Sequence, residues 1–172
     1  MPEYDFESHD EMVESVGIAG EMLSSVVSKI ANLYLKNDKA WVIGFSGGKD
    51  STVLLSLIFH ALTTLKKEQL KKNVYVVCSD TLVETPVVVG LIRKVLEDVQ
   101  KCADKKGLPI LTQIVVPQST NTFWVNLLGK GYPAPTKSFR WCTERMKIKP
   151  VSAFIQNTVS DHGEVIVALG SR

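Results

Sequence analysis

Apolar positions along the chain follow two alternating periods. From residue 8 to 36, Met12, Val16, Ala19, Leu23, Val26, Ile30, Leu33 and Tyr34 fall mostly three or four apart, one stripe of an amphipathic helix suited to cover a sheet face or edge. Gly17 and Gly20 weaken that helix locally, and Asn37-Asp38 ends it. Residues 41 to 45 are apolar or small, as in a buried parallel strand, and Val53, Leu54, Leu57, Ile58, Ala61, Leu62 and Leu65 return to helical spacing. Val74 to Cys78 predicts a second strand, and a helix starts near Glu84-Thr85-Pro86, where proline suits a first turn, and runs towards Cys102. Ile110 to Val116 predicts a third strand and Glu164 to Leu169 a last one.

This alternation predicts an α/β fold, a parallel sheet flanked by helices on both faces, with a ligand beyond the carboxyl ends of its strands. Residues 1–40 form an N-terminal helical segment and 41–172 the main domain. Between the third and last strands the pattern is irregular. A short helix is expected over Asn121 to Leu128, burying Phe123, Trp124, Leu127 and Leu128, followed by the loop Gly129-Lys130-Gly131-Tyr132-Pro133-Ala134-Pro135. Loops this rich in Gly and Pro lie over active sites or serve as plain surface connections.

The 172 residues, 45% of them hydrophobic, suit one folded domain, and a net charge of +2 does not by itself argue for nucleic acid. The basic run Lys66 to Lys72 reads as a solvated helix end. No apolar run reaches membrane-spanning length and the acidic start is unlike a signal peptide, so a cytoplasmic location and no membrane partner are expected. Three cysteines, Cys78, Cys102 and Cys142, without a C-x-x-C, argue against disulfides. Cys78 and Cys102 read as small buried residues.

Between the first strand and its helix lies only Ser46-Gly47-Gly48-Lys49-Asp50-Ser51. Adjacent glycines let the backbone turn tightly, and exposed N–H groups at the positive end of a helix make a cavity suited to phosphate. Lys49 adds a full charge, Ser46 and Ser51 offer hydroxyls to phosphate oxygens, and Asp50 can hold a Mg²⁺ ion that screens a polyphosphate. A Walker A loop is excluded, because Ile43 and Asp50 stand where it needs Gly and Ser or Thr. The G-x-G-x-x-G fingerprint is also missing.

Asp80 and Thr81 end the second strand beside this loop, where they could touch ribose, adenine or the metal, or where Asp80 caps a turn. Phe139 to Pro150 sets Arg140, Arg145, Lys147 and Lys149 around Cys142, in a segment that enters a helix at Thr143. It is an anion site or a basic helix face. Gly170-Ser171-Arg172 ends the chain at the carboxyl edge of the sheet, where Arg172 could reach a phosphate, and stopping there suggests truncation.

S-G-G-K-D-S resembles the PP-loop of the ATP pyrophosphatases, an adenine nucleotide alpha hydrolase-like fold. With S-D-T-L-V-E-T-P, F-W-V-N-L-L-G-K-G-Y-P-A-P and F-R-W-C-T-E-R-M-K-I-K-P in this order, the stretch from Trp41 to Arg172 resembles the DndC family of DNA phosphorothioation, in the phosphoadenylylsulfate reductase-like branch. The resemblance implies an ATP pyrophosphatase and sulfurtransferase that adenylates the DNA backbone, releases pyrophosphate, and lets sulfur displace AMP. It implies ATP and Mg²⁺, with Ser46, Lys49 and Asp50 catalytic. Gly47, Gly48 and Ser51 join them in holding the polyphosphate, Asp80 and Thr81 flank the nucleotide, and Arg172 lies over the phosphates. Arg140, Arg145 and Lys147 would bind the substrate. The implied partners are DNA, a cysteine desulfurase as sulfur donor, and other proteins of the modification system. The resemblance further implies a 4Fe-4S cluster whose first ligand is Cys142, its other ligands lying beyond residue 172. Competing expectations are a sulfonucleotide enzyme with the same loop, a sister system modifying one strand, and a nucleotide-binding module of a defence complex without turnover.

Overall fold

A computed structural model describes residues 17–170. In order, the elements are helix α1 (Gly17–Leu35), strand β1 (Ala40–Gly44), helix α2 (Lys49–Thr63), strand β2 (Val74–Ser79), helix α3 (Pro86–Lys106) and strand β3 (Ile110–Val115). After an irregular excursion come a short helix α4 (Trp141–Thr143), a wide π-type turn (Glu144–Ile148), helix α5 (Lys149–His162) and strand β4 (Val165–Leu169). The four strands form one sheet in the order β3-β2-β1-β4, and every pair is parallel. The expected α/β fold is therefore present, with each strand within a residue or two of its expected place.

Alternation along the strands divides the sheet into two faces. Trp41 and Ile43, Val74 and Val76, and Ile110 point into the main core, where Leu55, Ile58 and Leu62 of α2 and Leu96, Val99 and Ala103 of α3 meet them. The opposite face carries Val42 and Val77, both buried, and Tyr75, whose ring meets Phe154 of α5 edge-on at 5.6 Å. Helices thus cover both faces, as the right-handed crossovers of parallel strands require. No helix among the described residues is long and apolar enough to cross a membrane.

Helix α1 departs from expectation in two ways. It lies mainly on α2 as an outer layer, through a small cluster of Val27, Ala31 and Ala61, and meets the sheet at its end through Tyr34. Its buried face is rotated accordingly. Leu23, Val26 and Leu33 of the expected stripe are exposed and Val27 and Ala31 take their place inside, while Ile30 and Tyr34 pack inward as expected. The small Ala31 and Ala61 let two helices approach closely, which a stripe of large residues would prevent. Met12 and Val16 lie outside the described residues, and Gly20 sits in unbroken helix.

Tyr34 anchors the end of α1. Its hydroxyl donates to the Lys72 carbonyl at 2.8 Å and accepts the Lys72 N–H at 3.1 Å, while its ring meets Trp41 edge-on. Lys72 is itself buried, its ammonium 4.2 Å from the Tyr34 ring centroid and donating to the Asn37 carbonyl. The basic run is therefore not uniformly solvated. It breaks into a short 3₁₀ turn (Lys67–Gln69), and its last lysine closes the entrance to β2.

Replacing Tyr34 with Phe removes one hydroxyl and leaves two buried backbone groups of Lys72 unpaired. The variant is expected to lose about 1–3 kcal/mol of stability in urea unfolding, the usual cost of an unsatisfied buried pair. An unchanged midpoint would show that water replaces the hydroxyl.

Candidate functional site

The carboxyl ends of all four parallel strands lie along one edge of the sheet. The chain moves from β1 to β2 to β3 in one direction, and β4 adds on the other side of β1, so strand order reverses at β1. A crevice at that position is where open α/β sheets take ligands. The Ser46–Ser51 loop stands there.

Phe45, buried, extends the strand by donating its N–H to the Val77 carbonyl at 2.9 Å, and the loop leaves immediately after it. Gly47 takes a left-handed φ of 72°, which a side chain would strain, and its α-carbon faces Ile92 of α3. Gly48 then enters α2 in extended conformation with no side chain to cap the helix. A helix entered this way leaves first-turn amides for a ligand, at its positive end.

Ser51 shapes the loop from within. It is buried, its Oγ accepts the Ser46 N–H at 3.2 Å, and its hydroxyl donates to the Gly48 carbonyl at 2.8 Å. With that proton committed, the 3.2 Å contact between the Ser46 and Ser51 hydroxyls has Ser46 as donor. The hydroxyl expected to meet phosphate oxygens directly is thus turned inward as a brace. Ser46, Gly47, Gly48, Lys49 and Asp50 are exposed around the rim. Beyond the end of β4, Gly170 closes one wall. A Cβ there would fall 2.5 Å from the Asp50 carbonyl oxygen and 2.9 Å from the Ser51 nitrogen. Arg172 lies outside the described residues.

At the end of β2, Asp80 and Thr81 are turned inward as well. Asp80 accepts the Leu82 N–H at 2.9 Å, the turn-capping use, and its other oxygen lies 3.6 Å from Arg93. Thr81 is buried and donates both its hydroxyl, at 2.5 Å, and its N–H, at 3.2 Å, to Glu84. This turn pushes Leu82 out with a φ of 63°, an uncommon conformation for a branched residue. Burial raises the Glu84 carboxyl, but the Thr81 hydroxyl and amide, Glu84's own amide and nearby Lys147 outweigh it and hold the group below the ordinary carboxylate range. Glu84 is a residue the sequence reading missed. The spacing T-x-x-E just ahead of a helix was the signal that could have found it.

The basic segment does not gather its cations around Cys142. Arg145 donates to Asn121 Oδ1 at 3.1 Å and to the Tyr132 hydroxyl at 2.6 Å, with its guanidinium 4.8 Å from the Tyr132 ring. Lys149 pairs with Glu144 at 3.3 Å, Lys147 acts electrostatically on Glu84 and Cys78, and Arg140 is exposed ahead of α4. The segment is tied to the sheet by Ser79, whose hydroxyl donates to the Met146 carbonyl at 2.9 Å. The helix expected to enter at Thr143 enters at Trp141.

Asp50 stands on the first turn beside the uncapped amides of α2, a carboxylate of the kind that Mg²⁺ takes together with phosphate oxygens. A four-thiolate cluster does not fit the described residues. Among them no three His, Cys, Asp or Glu side chains converge. Cys142 is half-buried, Cys102 packs against the core from α3, and Cys78 is buried in β2. Burial, aided by Asp80 and Glu84 and opposed by Lys147, pushes the Cys78 thiol up to about 11.

No protein-family model matches the chain. It is similar to the uncharacterized protein MJ0066 of Methanocaldococcus jannaschii, with 30% identity over 167 residues, or 96% of this chain. The chain spans 30% of the length of that relative.

Two outcomes follow from this geometry. Gly170→Ala is expected to cost about 1–3 kcal/mol by forcing backbone apart, while Gly90→Ala, where a Cβ meets nothing within 4 Å, should be neutral or stabilising by up to about 1 kcal/mol; equal unfolding midpoints would contradict the contact. At about pH 8, iodoacetamide should leave Cys78 unmodified in the native protein and modify it after denaturation, because only the thiolate reacts. Peptide mass mapping reads the result, and rapid native labelling of Cys78 would contradict its burial.

Proposed function

We propose that this chain is the ATP-binding part of a DNA phosphorothioation enzyme of the DndC type, which cleaves ATP between its α and β phosphates. The observation that carries this reading is the S-G-G-K-D-S loop, braced by Ser51 and backed by Gly170, at the point where strand order reverses. A loop of this shape offers amide donors and a lysine to a polyphosphate, and Asp50 beside them suits the accompanying Mg²⁺.

The chemistry needs an activated phosphate. An oxygen of a phosphodiester is a poor leaving group. In the proposed reaction a non-bridging oxygen of the DNA backbone attacks the α phosphorus of ATP, the bond to the β-phosphate oxygen breaks, and pyrophosphate leaves. Sulfur carried as a persulfide from a cysteine desulfurase partner is first released as hydrosulfide by a thiol reductant, which supplies the two electrons that break the S–S bond. The hydrosulfide then attacks the DNA phosphorus, and AMP departs with the original oxygen. Lys49 and the first-turn amides of α2 hold the phosphates as charge moves to pyrophosphate, the kind of fixed electrostatic stabilisation that dominates phosphoryl-group chemistry. Ser46, exposed on the rim, can donate to the same oxygens once its hydroxyl turns away from Ser51.

A sulfonucleotide enzyme would use the same loop on a small substrate. The discriminating experiment identifies products after incubation with Mg²⁺ and ATP, with and without DNA. AMP and pyrophosphate in amounts raised by DNA are expected, and Lys49→Ala should slow their release by about a hundredfold or more. ADP and phosphate would overturn the reading. Stimulation by a soluble sulfonucleotide in place of DNA would transfer it to the rival enzyme.

A further inference from the structure

We propose that the excursion between β3 and α5 is a seat for an unpaired nucleic-acid strand, separate from the phosphate loop at β1. The first observation is the distribution of charge. Residues 117–150 contain six cations, Lys130, Lys137, Arg140, Arg145, Lys147 and Lys149, against the single acid Glu144, which leaves the rest of this +2 chain net negative. A segment so unbalanced is the electrostatic footprint of a polyanion.

Within it, two cations are held on neutral partners. Lys130 donates to the Thr120 carbonyl at 2.7 Å and to Asn121 Oδ1 at 3.1 Å, the same oxygen that accepts from Arg145 at 3.1 Å. Among the described residues neither has a carboxylate partner, whereas Lys149 has Glu144. Two like charges converging on one amide oxygen repel each other, and a phosphate entering beside them removes that repulsion while taking charge-assisted hydrogen bonds from a guanidinium already fixed in place.

Beside Arg145 and Asn121 opens a cavity of about 350 Å³. Its lining mixes the amides of Gln113, Gln118 and Asn157 with apolar side chains, Ile114, Val116 and the ring of Phe154 among them. That is room for one base and its sugar, with donors and acceptors for a base edge, and a base enters such a recess only when it is out of a duplex stack.

The third observation is a row of rings leading to the same place. Exposed Trp124 meets half-buried Phe123 edge-on at 5.2 Å, Phe123 stacks at 5.4 Å on Trp141, which is buried and anchors the row, Trp141 meets half-buried Tyr132 at 5.6 Å, and Arg145 lies over Tyr132. Trp124 is 57% exposed and Phe139 47%. Exposed rings interleaved with cations are the means by which proteins hold single strands without reading sequence. An acidic protein would use the cations but has no need of the recess or of the rings.

The choice of DNA over RNA rests on the function proposed above; the seat itself rests on these three observations. The test is fluorescence anisotropy of a labelled single-stranded oligonucleotide with the whole chain and no ATP, over a range of salt. Binding is expected to exceed that of the matching duplex. Arg145→Gln should weaken it at least tenfold and lower the salt slope by about one, and the surface change Trp124→Ala should weaken it at least threefold with the salt slope unchanged. Circular dichroism of both variants establishes that they are folded, and Lys130→Gln, at an exposed site, stands in for Arg145→Gln should that variant unfold. No strand binding, or binding indifferent to these substitutions, would overturn the proposal. Displacement by polyglutamate as effective as by unlabelled strand would overturn it in favour of an acidic protein partner. Strand binding that persists in a protein yielding no AMP supports the seat and overturns only the activity.

Discussion

Strand β1 is paired in parallel on both sides, to β2 and to β4. Parallel pairing forbids a hairpin and requires each connection to travel the length of the sheet, so every carboxyl end arrives at one edge. The connection into β4 must also cross to the far side of β1, which puts the ends of β1 and β4 next to each other and lets Gly170 press on the first turn of α2. The loop's shape depends on this contact and on Ser51. Gly170 would not touch the loop if β4 paired elsewhere, whereas the Ser51 brace is internal to it.

The strands and the strand-to-helix turn at Ser46 to Ser51 were legible because both are local signals. An apolar run followed by Gly-Gly and a helical period leaves few alternatives, and each element stands within a residue or two of its expected place. The face of α1 was legible only in part: Ile30 and Tyr34 pack inward as the stripe predicts, but Leu23, Val26 and Leu33 turn out and Val27 and Ala31 turn in, because the small Ala61 on α2 admits a close helix contact there. Trp124 and Leu128, expected inside a short helix, are exposed at 57% and 75%. There the chain forms a 3₁₀ turn (Ser119–Asn121) and a π-type turn (Val125–Gly129), whose periods differ from the one used to assign a buried side.

Asp80 and Thr81 illustrate a different limit. Their position beside the loop was read correctly, yet position does not fix direction. Asp80 caps its own turn and Thr81 closes on Glu84, because an unpaired polar group at the buried end of a strand is costly and the nearest partner satisfies it. Similarly, Arg145, Lys147 and Lys149 are consecutive odd positions in one segment, yet they reach three different partners, since side chains two residues apart do not share a face of a helical segment.

Any reaction that brings a polyphosphate to a nucleic-acid backbone has to place two polyanions close together. Strands spaced by about 4.8 Å put the end of β3 roughly 10 Å from the end of β1, with β2 between them. The end of β2 carries Asp80 and Glu84, which would repel both anions. Arg93 lies 3.6 Å from Asp80, and Lys147 acts on Glu84 from the opposite face of the sheet. The carboxylates that fix the β2 turn are thereby offset, and the edge between the two candidate sites is kept from presenting an uncompensated negative charge. Lys147, expected to bind substrate and one of the cations of the proposed seat, also balances charge between the two sites in this arrangement.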